Sequence, residues 1–324
     1  MARKKSRKRS ANNNIIAVIV IIVLALAAAF AYFKDSITDI FEDADVSGNF
    51  AVHFIDVGQG DSILIQTPDG QYMLIDTGER NQYDKLSAYL DHYNVKDFKY
   101  VIFTHPHSDH IGSSDKIVKN YNIETLIMPD VVHTTKTFER LISEIEKKEL
   151  PVTRADAGLR FDFGEAEFMI LSPSPKNYDN LNNYSVVVKM TYKENEFLFT
   201  GDMEKEPENE VMEFCDENGI SLSADVLKVA HHGSSTSSQE AFLSRINPEY
   251  AVILCGAGNS YNHPNLKTVE RLEDCGATVL RTDLEGDIVI VSDGAHLSVK
   301  KGRGDFAAHN PANEDEAETE QNEG

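Results

Sequence analysis

His105-Pro106-His107-Ser108-Asp109-His110 follows, across Thr104, the apolar run Tyr100-Val101-Ile102-Phe103. The run predicts a strand over Lys99 to Thr104, and the six residues after it predict a loop carrying three imidazoles and a carboxylate. Imidazole nitrogen and carboxylate oxygen suit zinc, manganese or iron, and no nearby cysteine suggests a closed structural zinc site. His105 and His107 occupy alternate positions and can point the same way. Asp109 and His110 fall on the following turn and can face a second ion. The cluster therefore reads as half of a two-metal hydrolytic centre rather than a polar loop of unrelated histidines.

Working outward, strands and turns come first. Phe50 to Asp56, Ser62 to Thr67 and Tyr72 to Asp76 read as strands, with Pro68-Asp69-Gly70 as a hairpin turn. Helices and strands then alternate. Gln82 to Tyr93 and Ser113 to Asn120 read as helices, and Thr125 to Met128 as a strand. Thr134 to Glu149 reads as an amphipathic helix with Phe138, Leu141, Ile142 and Ile145 on one face. Further strands are expected at Glu167 to Leu171, Ser185 to Tyr192, Glu196 to Thr200, Ala224 to Ala230, Tyr250 to Cys255 and Ala277 to Arg281. Asn265 to Asp274 is expected as a helix, and a hairpin turning at Asp293-Gly294 closes the domain. Asp76, the His105 loop, Asp202 and His232 all stand where an apolar run stops, so strand ends at one sheet edge can bring them to a single cleft.

The chain resembles the metallo-β-lactamase superfamily, whose first metal motif is HxHxDH. Leu74-Ile75-Asp76-Thr77-Gly78 is similar to its earlier strand-end Asp, and Leu198-Phe199-Thr200-Gly201-Asp202 and Val229-Ala230-His231-His232-Gly233 to its later strand-end motifs, over roughly residues 49 to 302. The implied architecture is an αββα sandwich. One branch fits best. Phe54-Ile55-Asp56-Val57-Gly58-Gln59-Gly60-Asp61-Ser62, Asn182-Asn183-Tyr184-Ser185, Tyr261-Asn262-His263-Pro264 and Arg281-Thr282-Asp283 resemble the hydrolase domain of ComEC-type competence proteins. The exported phosphorylcholine esterases that act on teichoic acids share several of these features, and both branches imply phosphodiester hydrolysis. The chain departs from lactamases and glyoxalase II-type enzymes before Ser185, where it has no metal-binding histidine. One metal would therefore keep open positions for water and substrate.

The resemblance implies two divalent metal ions, zinc or manganese. His105 and His107 would hold one; Asp109, His110 and His232 the other; Asp202 would bridge them. Such a pair acidifies a water and stabilises charge developing on phosphorus oxygens. Asp76 is expected to fix a ligand histidine from behind. Asp202 has a second reading as a helix cap before Met203-Glu204-Lys205-Glu206. Matching His232-Gly233 to the family motif leaves His231 facing substrate, to donate to a phosphate oxygen or protonate the leaving group. His263 reads as a substrate contact or a loop histidine bonded to backbone. Asn183 and Ser185 read as holders of phosphate oxygens or as ordinary turn residues. His53, His92, His133, His296 and His309 receive no role.

Residues 15 to 33 carry no charge, and nineteen residues at about 1.5 Å each nearly cover a hydrocarbon core of about 30 Å. Six bases precede the segment and acids follow it, so it reads as a membrane anchor with a basic cytoplasmic stub at 1 to 14, an acidic linker at 34 to 48, and the 49 to 304 domain outside the cell. A cleaved signal peptide ending near Ala29-Phe30-Ala31 is the rival reading. Residues 305 to 324 read as a disordered acidic tail. Removing the six leader bases from the formal net charge of −22 leaves −28. So acidic a domain repels polyanions and has no basic stripe, which argues against stable duplex DNA binding. Bound metals can offset that field locally at the cleft. Cys215, Cys255 and Cys275 form no CxxC pair, which argues against a disulfide framework.

Three functions follow: an outward-facing nuclease acting on DNA, with single strands as one candidate; a phosphodiesterase acting on an envelope polymer; or a non-catalytic envelope protein that retains the fold. The second lacks an obvious aromatic cage, since the chain has no tryptophan.

Overall fold

The β-branched and aromatic runs between turn residues form fifteen strands among the residues described by the computed structural model, Val46 and 48–302. The anchor read at 15 to 33, the leader and the acidic tail lie outside those residues. Among the described residues, no helix is long and apolar enough to cross a membrane. The described residues fall within one compact unit.

Two similar halves build the unit. In the first, β1 (Phe50–Phe54), β2 (Ile63–Gln66) and β3 (Tyr72–Ile75) form an antiparallel meander. Parallel strands β4 (Asp97–Ile102), β5 (Asn122–Met128) and β6 (Val152–Arg154) continue the sheet. The second half repeats the pattern. β7 (Arg160–Phe163), β8 (Ala166–Ser172), β9 (Val187–Tyr192) and β10 (Asn195–Phe199) pair antiparallel, and β11 (Val226–Lys228), β12 (Tyr250–Ile253) and β13 (Thr278–Arg281) extend them in parallel. β14 (Asp287–Ser292) and β15 (Leu297–Gly302) return to the first sheet beside β1. Parallel neighbours need crossovers, and the helices supply them. Tyr83–His92, Ser114–Asn120 and Lys136–Lys147 serve the first half; Lys205–Asn218, Glu240–Ile246 and Leu266–Asp274 serve the second.

Side-chain alternation explains the layering. Phe50, Val52 and Phe54 of β1, Ile63 and Ile65 of β2, and Met73 and Ile75 of β3 meet Phe197 and Phe199 of β10 and Val226 of β11 between the sheets. The intervening Leu64 and Leu74 face Leu86, Leu90, Leu141 and Ile145 from the first set of helices. Leu198 and Leu227 face Val211, Phe242 and Leu272 from the second. The result is the expected αββα sandwich.

The departures have local causes. Thr135 accepts from Phe138 N and caps the long amphipathic helix, which spans Lys136–Lys147, shorter than Thr134 to Glu149. β6 and β7 are edge strands of three and four residues, too short to stand out, although β7 alternates and buries Phe163. The helix start read at Met203 to Glu206 opens a full helix, Lys205–Asn218, whose length Pro207 and a dense run of acids obscure in the sequence. Ala224 to Ala230 is not one strand: β11 ends at Lys228, and a tight turn carries Ala230 to Gly233.

His53 stands on β1, fully buried, with Nδ1 2.9 Å from the Tyr89 hydroxyl. Burial, aided by His92, pushes its imidazole down to about 3. Its folded value lies below the unfolded value near 6.5, so the unfolded chain binds the extra proton between those limits, and stability falls as pH drops through that window. In the presence of chelator, native protein should lose about 2 kcal/mol more stability than His53→Gln between pH 6.5 and 5. Denaturant midpoints at the two pH values measure this, and equal losses would refute it.

Candidate metal centre

The ligand candidates come from the C-terminal ends of strands. Asp76 follows β3, and the His105 loop follows β4; Asp202 follows β10, and His231 and His232 follow β11, while Asp61 stands in the β1–β2 loop just before β2. These ends lie at matching edges of the two sheets, where open α/β sheets commonly place ligands. A groove at the opposite edge, lined by Tyr72, Asp97 and Asn122, carries none of these groups.

Asp109, His110, Asp202 and His232 offer ligand atoms within 4.8 Å of one another. Asp202 Oδ2 lies 3.2 Å from His110 Nε2 and 3.4 Å from His232 Nε2, and Asp109 Oδ2 lies 3.3 Å from His232 Nε2. Beside them, His105 Nε2 is 3.0 Å from His107 Nδ1, and the His105 and His110 rings are 4.1 Å apart. The structure thus brings together all six residues expected as ligands. Asp202 does not cap the following helix, whose N-cap is Glu204.

The groups behind the cluster fix its orientation. Asp76 is fully buried; its Oδ2 lies 2.7 Å from His110 Nδ1, and it accepts from Thr104 N at 2.8 Å and Thr104 Oγ1 at 2.6 Å. His232 Nδ1 lies 2.9 Å from Leu254 O. Both rings therefore commit Nδ1 to a fixed acceptor and turn Nε2 toward the cluster. Burial disfavours their charge, but Asp202 and the neighbouring carboxylates outweigh it and hold both imidazoles well above their usual range, so a metal ion at Nε2 would displace a proton.

The donor set fits divalent metal ions. His110 Nε2, His232 Nε2 and Asp202 Oδ1 are buried without a directed hydrogen bond, although the two imidazole nitrogens stand at ion-pair distance from Asp202. Buried polar atoms left this way are costly unless another partner takes their lone pairs. Burial, with His110 close by, pushes His105 well below its usual range, and burial also lowers His107. Both are neutral imidazoles, the form that ligates metal. Burial alone would raise the carboxyls of Asp109 and Asp202, but His110 and His232 outweigh it and hold both below the usual range.

Two backbone features shape the site. His231 and His232 have consecutive left-handed φ values of 52° and 53°, a conformation costing about 1–2 kcal/mol per non-glycine residue. The turn separates adjacent side chains: His232 is buried in the cluster, while His231 lines the cleft. At Gly60, φ is 132° and a Cβ would lie 2.2 Å from Asp109 O, so only glycine lets this loop close on the metal loop.

The cleft above the cluster holds about 540 Å³, and His107, Asp109, Asp202, His231 and His263 are among its lining residues. His231 Nε2 lies 3.4 Å from Asn182 Nδ2 and its Nδ1 3.5 Å from Glu204 Oε1. Two expected substrate contacts stand elsewhere. Asn183 is buried, accepting from Glu204 N at 3.2 Å and donating to Glu206 at 3.4 Å. Ser185 is buried beneath the cluster, where its Oγ accepts from Asp202 N at 3.0 Å and lies 3.4 Å from His105 Nδ1. Both shape the frame of the cluster. Asn182, one residue earlier than Asn183, lines the cleft instead, and so does His133, which stands in no recognisable motif.

Sequence reasoning also missed Lys228 and its partner Asp61. Lys228 is fully buried; its Nζ donates to Gly201 O at 2.8 Å, pairs with Asp61 and lies 3.7 Å from Asp202 Oδ1. Asp61 Oδ1 in turn lies 3.3 Å from His232 Nδ1. Burial opposes the lysine's charge, but Asp61 and Asp202 outweigh it and hold the ammonium above its usual range. A lone lysine inside the apolar run Val226-Leu227-Lys228-Val229 was the available signal.

Residues 55–257 match the Metallo-beta-lactamase superfamily, and the chain belongs to that superfamily, a class of metal-dependent hydrolases. Within it, the chain is similar to competence proteins. It is 31% identical over 260 residues to ComE operon protein 3 of Bacillus subtilis, covering 75% of this chain and 33% of that protein. It is 29% identical to Recombination protein 2 of Haemophilus influenzae, over 79% of this chain and 30% of that protein. The chain thus aligns with about a third of the length of these relatives. Among solved structures, the metallo-beta-lactamase fold protein YhfI from Bacillus subtilis shares the fold, with a TM-score of 0.51 at 13% identity over 75% of this chain and 100% of that one.

Breaking a buried pair leaves an uncompensated charge and costs about 3–5 kcal/mol. Lys228→Met should lower unfolding free energy by that order. Combining it with Asp61→Asn should recover part of the loss, as read by chemical denaturation of the three variants. Strict additivity would show that the two groups are not coupled.

Proposed function

We propose that the chain is a metal-dependent phosphodiesterase that cleaves DNA, with single strands its preferred form, using two zinc or manganese ions. The observation that carries this reading is Asp202 Oδ2, 3.2 and 3.4 Å from two imidazole nitrogens that lack directed hydrogen bonds, on the floor of an open cleft. His105 and His107 would hold one ion; Asp109, His110 and His232 the other; Asp202 would serve both. Bound together, such ions acidify a water and stabilise charge on phosphorus oxygens.

The chain's own groups do the rest. Asp76 and Leu254 O hold Nδ1 of His110 and His232, leaving Nε2 of each toward the cluster. Ser185 holds the backbone at Asp202. His231 faces the cleft beside Glu204 and Asn182, and with the proton on Nε2 in place of the long Asn182 contact its imidazole would donate to a phosphate oxygen or to the leaving group. Similarity to competence proteins supports DNA as the substrate. The charge pattern of residues 1 to 45 supports a membrane anchor with the domain outside the cell. The strongly acidic composition supports engagement of an end or a flexible strand over stable duplex binding.

Purified chain loaded with manganese or zinc should degrade single-stranded DNA, and Asp109→Ala should lower the rate by about 10²–10³-fold, the order lost when a group stabilising transition-state charge is removed. Double-stranded DNA and bis(p-nitrophenyl) phosphate assayed alongside fix the substrate class. Hydrolysis of the small diester with DNA untouched would favour an envelope polymer. Full activity in Asp109→Ala would exclude the two-metal reading.

A further inference from the structure

We infer that Tyr261 forms a nucleobase-stacking subsite at the mouth of the metal cleft. The inference rests on the DNA reading above and names how the strand is held. Tyr261 lines the cleft, yet it is 64% exposed, among the few large apolar side chains that solvent reaches in the described residues. It is not isolated. Its ring stacks on His263 with centroids 5.9 Å apart and planes 26° apart. His263 in turn stands 6.3 Å from the His232 ring and 5.4 Å from the His231 ring. A run of rings therefore leads from a metal-ligand position out to solvent, with the outermost ring presenting a free aromatic surface.

The loop beneath this ring is built to hold it still. Asn259 Oδ1 accepts from Tyr261 N and from His263 N, both at 3.1 Å. Asn259 Nδ2 donates to Gly256 O at 2.9 Å and to His263 O at 2.5 Å. One side chain thus templates the whole turn, so a stacking partner meets a preorganised ring and little ordering cost. An exposed aromatic on a braced loop suits recognition better than packing.

The cleft's charge favours such a contact. Among the described residues lining it there is no lysine or arginine, while Asp109 and Asp202 are present. That described lining offers phosphates flanking the scissile bond no cationic clamp. Stacking is then the contact through which neighbouring nucleotides gain affinity. It is sequence-tolerant, and each base–aromatic contact is worth about 5- to 100-fold in affinity. A single open ring face fits a flat base; enclosing a quaternary ammonium needs several aromatic walls.

The test uses the full chain with manganese and two single-stranded oligonucleotides, one normal and one with abasic residues flanking the cleavage position. Native protein should cleave the abasic strand with kcat/KM about 5- to 100-fold lower than the normal one. Tyr261→Ala should reduce cleavage of the normal strand by a similar factor and leave the abasic strand unaffected, while Tyr261→Phe keeps native behaviour on both. Native rates for Tyr261→Ala on the normal strand, or equal losses on both strands, would overturn the subsite and leave the nuclease reading standing. No cleavage of either strand by native protein would overturn both.

Discussion

A buried charge imbalance holds the active edge of this fold together. Asp61, Asp76, Asp109 and Asp202 converge where the two sheets meet, and Lys228 is the permanent cation buried among them. With the imidazoles neutral, as metal ligation requires, four ionised carboxylates against one ammonium would leave a deficit of three charges. One divalent ion would fall short of it and two would exceed it by a single charge. Lys228 belongs to one sheet and Asp61 to a loop of the other, so the pair joins the halves directly below the metal-ligand positions.

The topology makes this convergence possible. Each half runs an antiparallel meander and then turns parallel, so consecutive crossovers deliver successive strand ends to one edge. Packing the two sheets through Phe50, Phe54, Phe197 and Phe199 sets those edges against each other. Local strain is then concentrated where chemistry needs it. The left-handed pair His231 and His232 sends one imidazole into the cluster and the other into the cleft, from adjacent positions on the chain.

Much of this was legible in the sequence. The metal loop, Asp76, Asp202 and His232 stand at the ends of apolar runs, and a strand end is visible wherever alternation stops. Long amphipathic elements such as Lys136–Lys147 were equally plain. What stayed hidden was of two kinds. Edge strands β6 and β7 are only three and four residues long, too short for their alternation to be told from a loop. Orientation across a tight turn is also unreadable: neighbouring asparagines Asn182 and Asn183 differ only in which way a short 3-10 turn points them, and the turn places Asn182 on the cleft and Asn183 against Glu204 and Glu206. Ser185 and Lys228 act behind the cluster through partners far along the chain, contacts that no local pattern encodes.

The central claim is that two divalent ions share Asp202, and anomalous scattering at the manganese edge from crystals of the metal-loaded chain addresses it directly. Two peaks should flank Asp202, one beside His105 and His107 and the other beside Asp109, His110 and His232. No peak at Asp202, or a single peak served by all six side chains, would contradict the account.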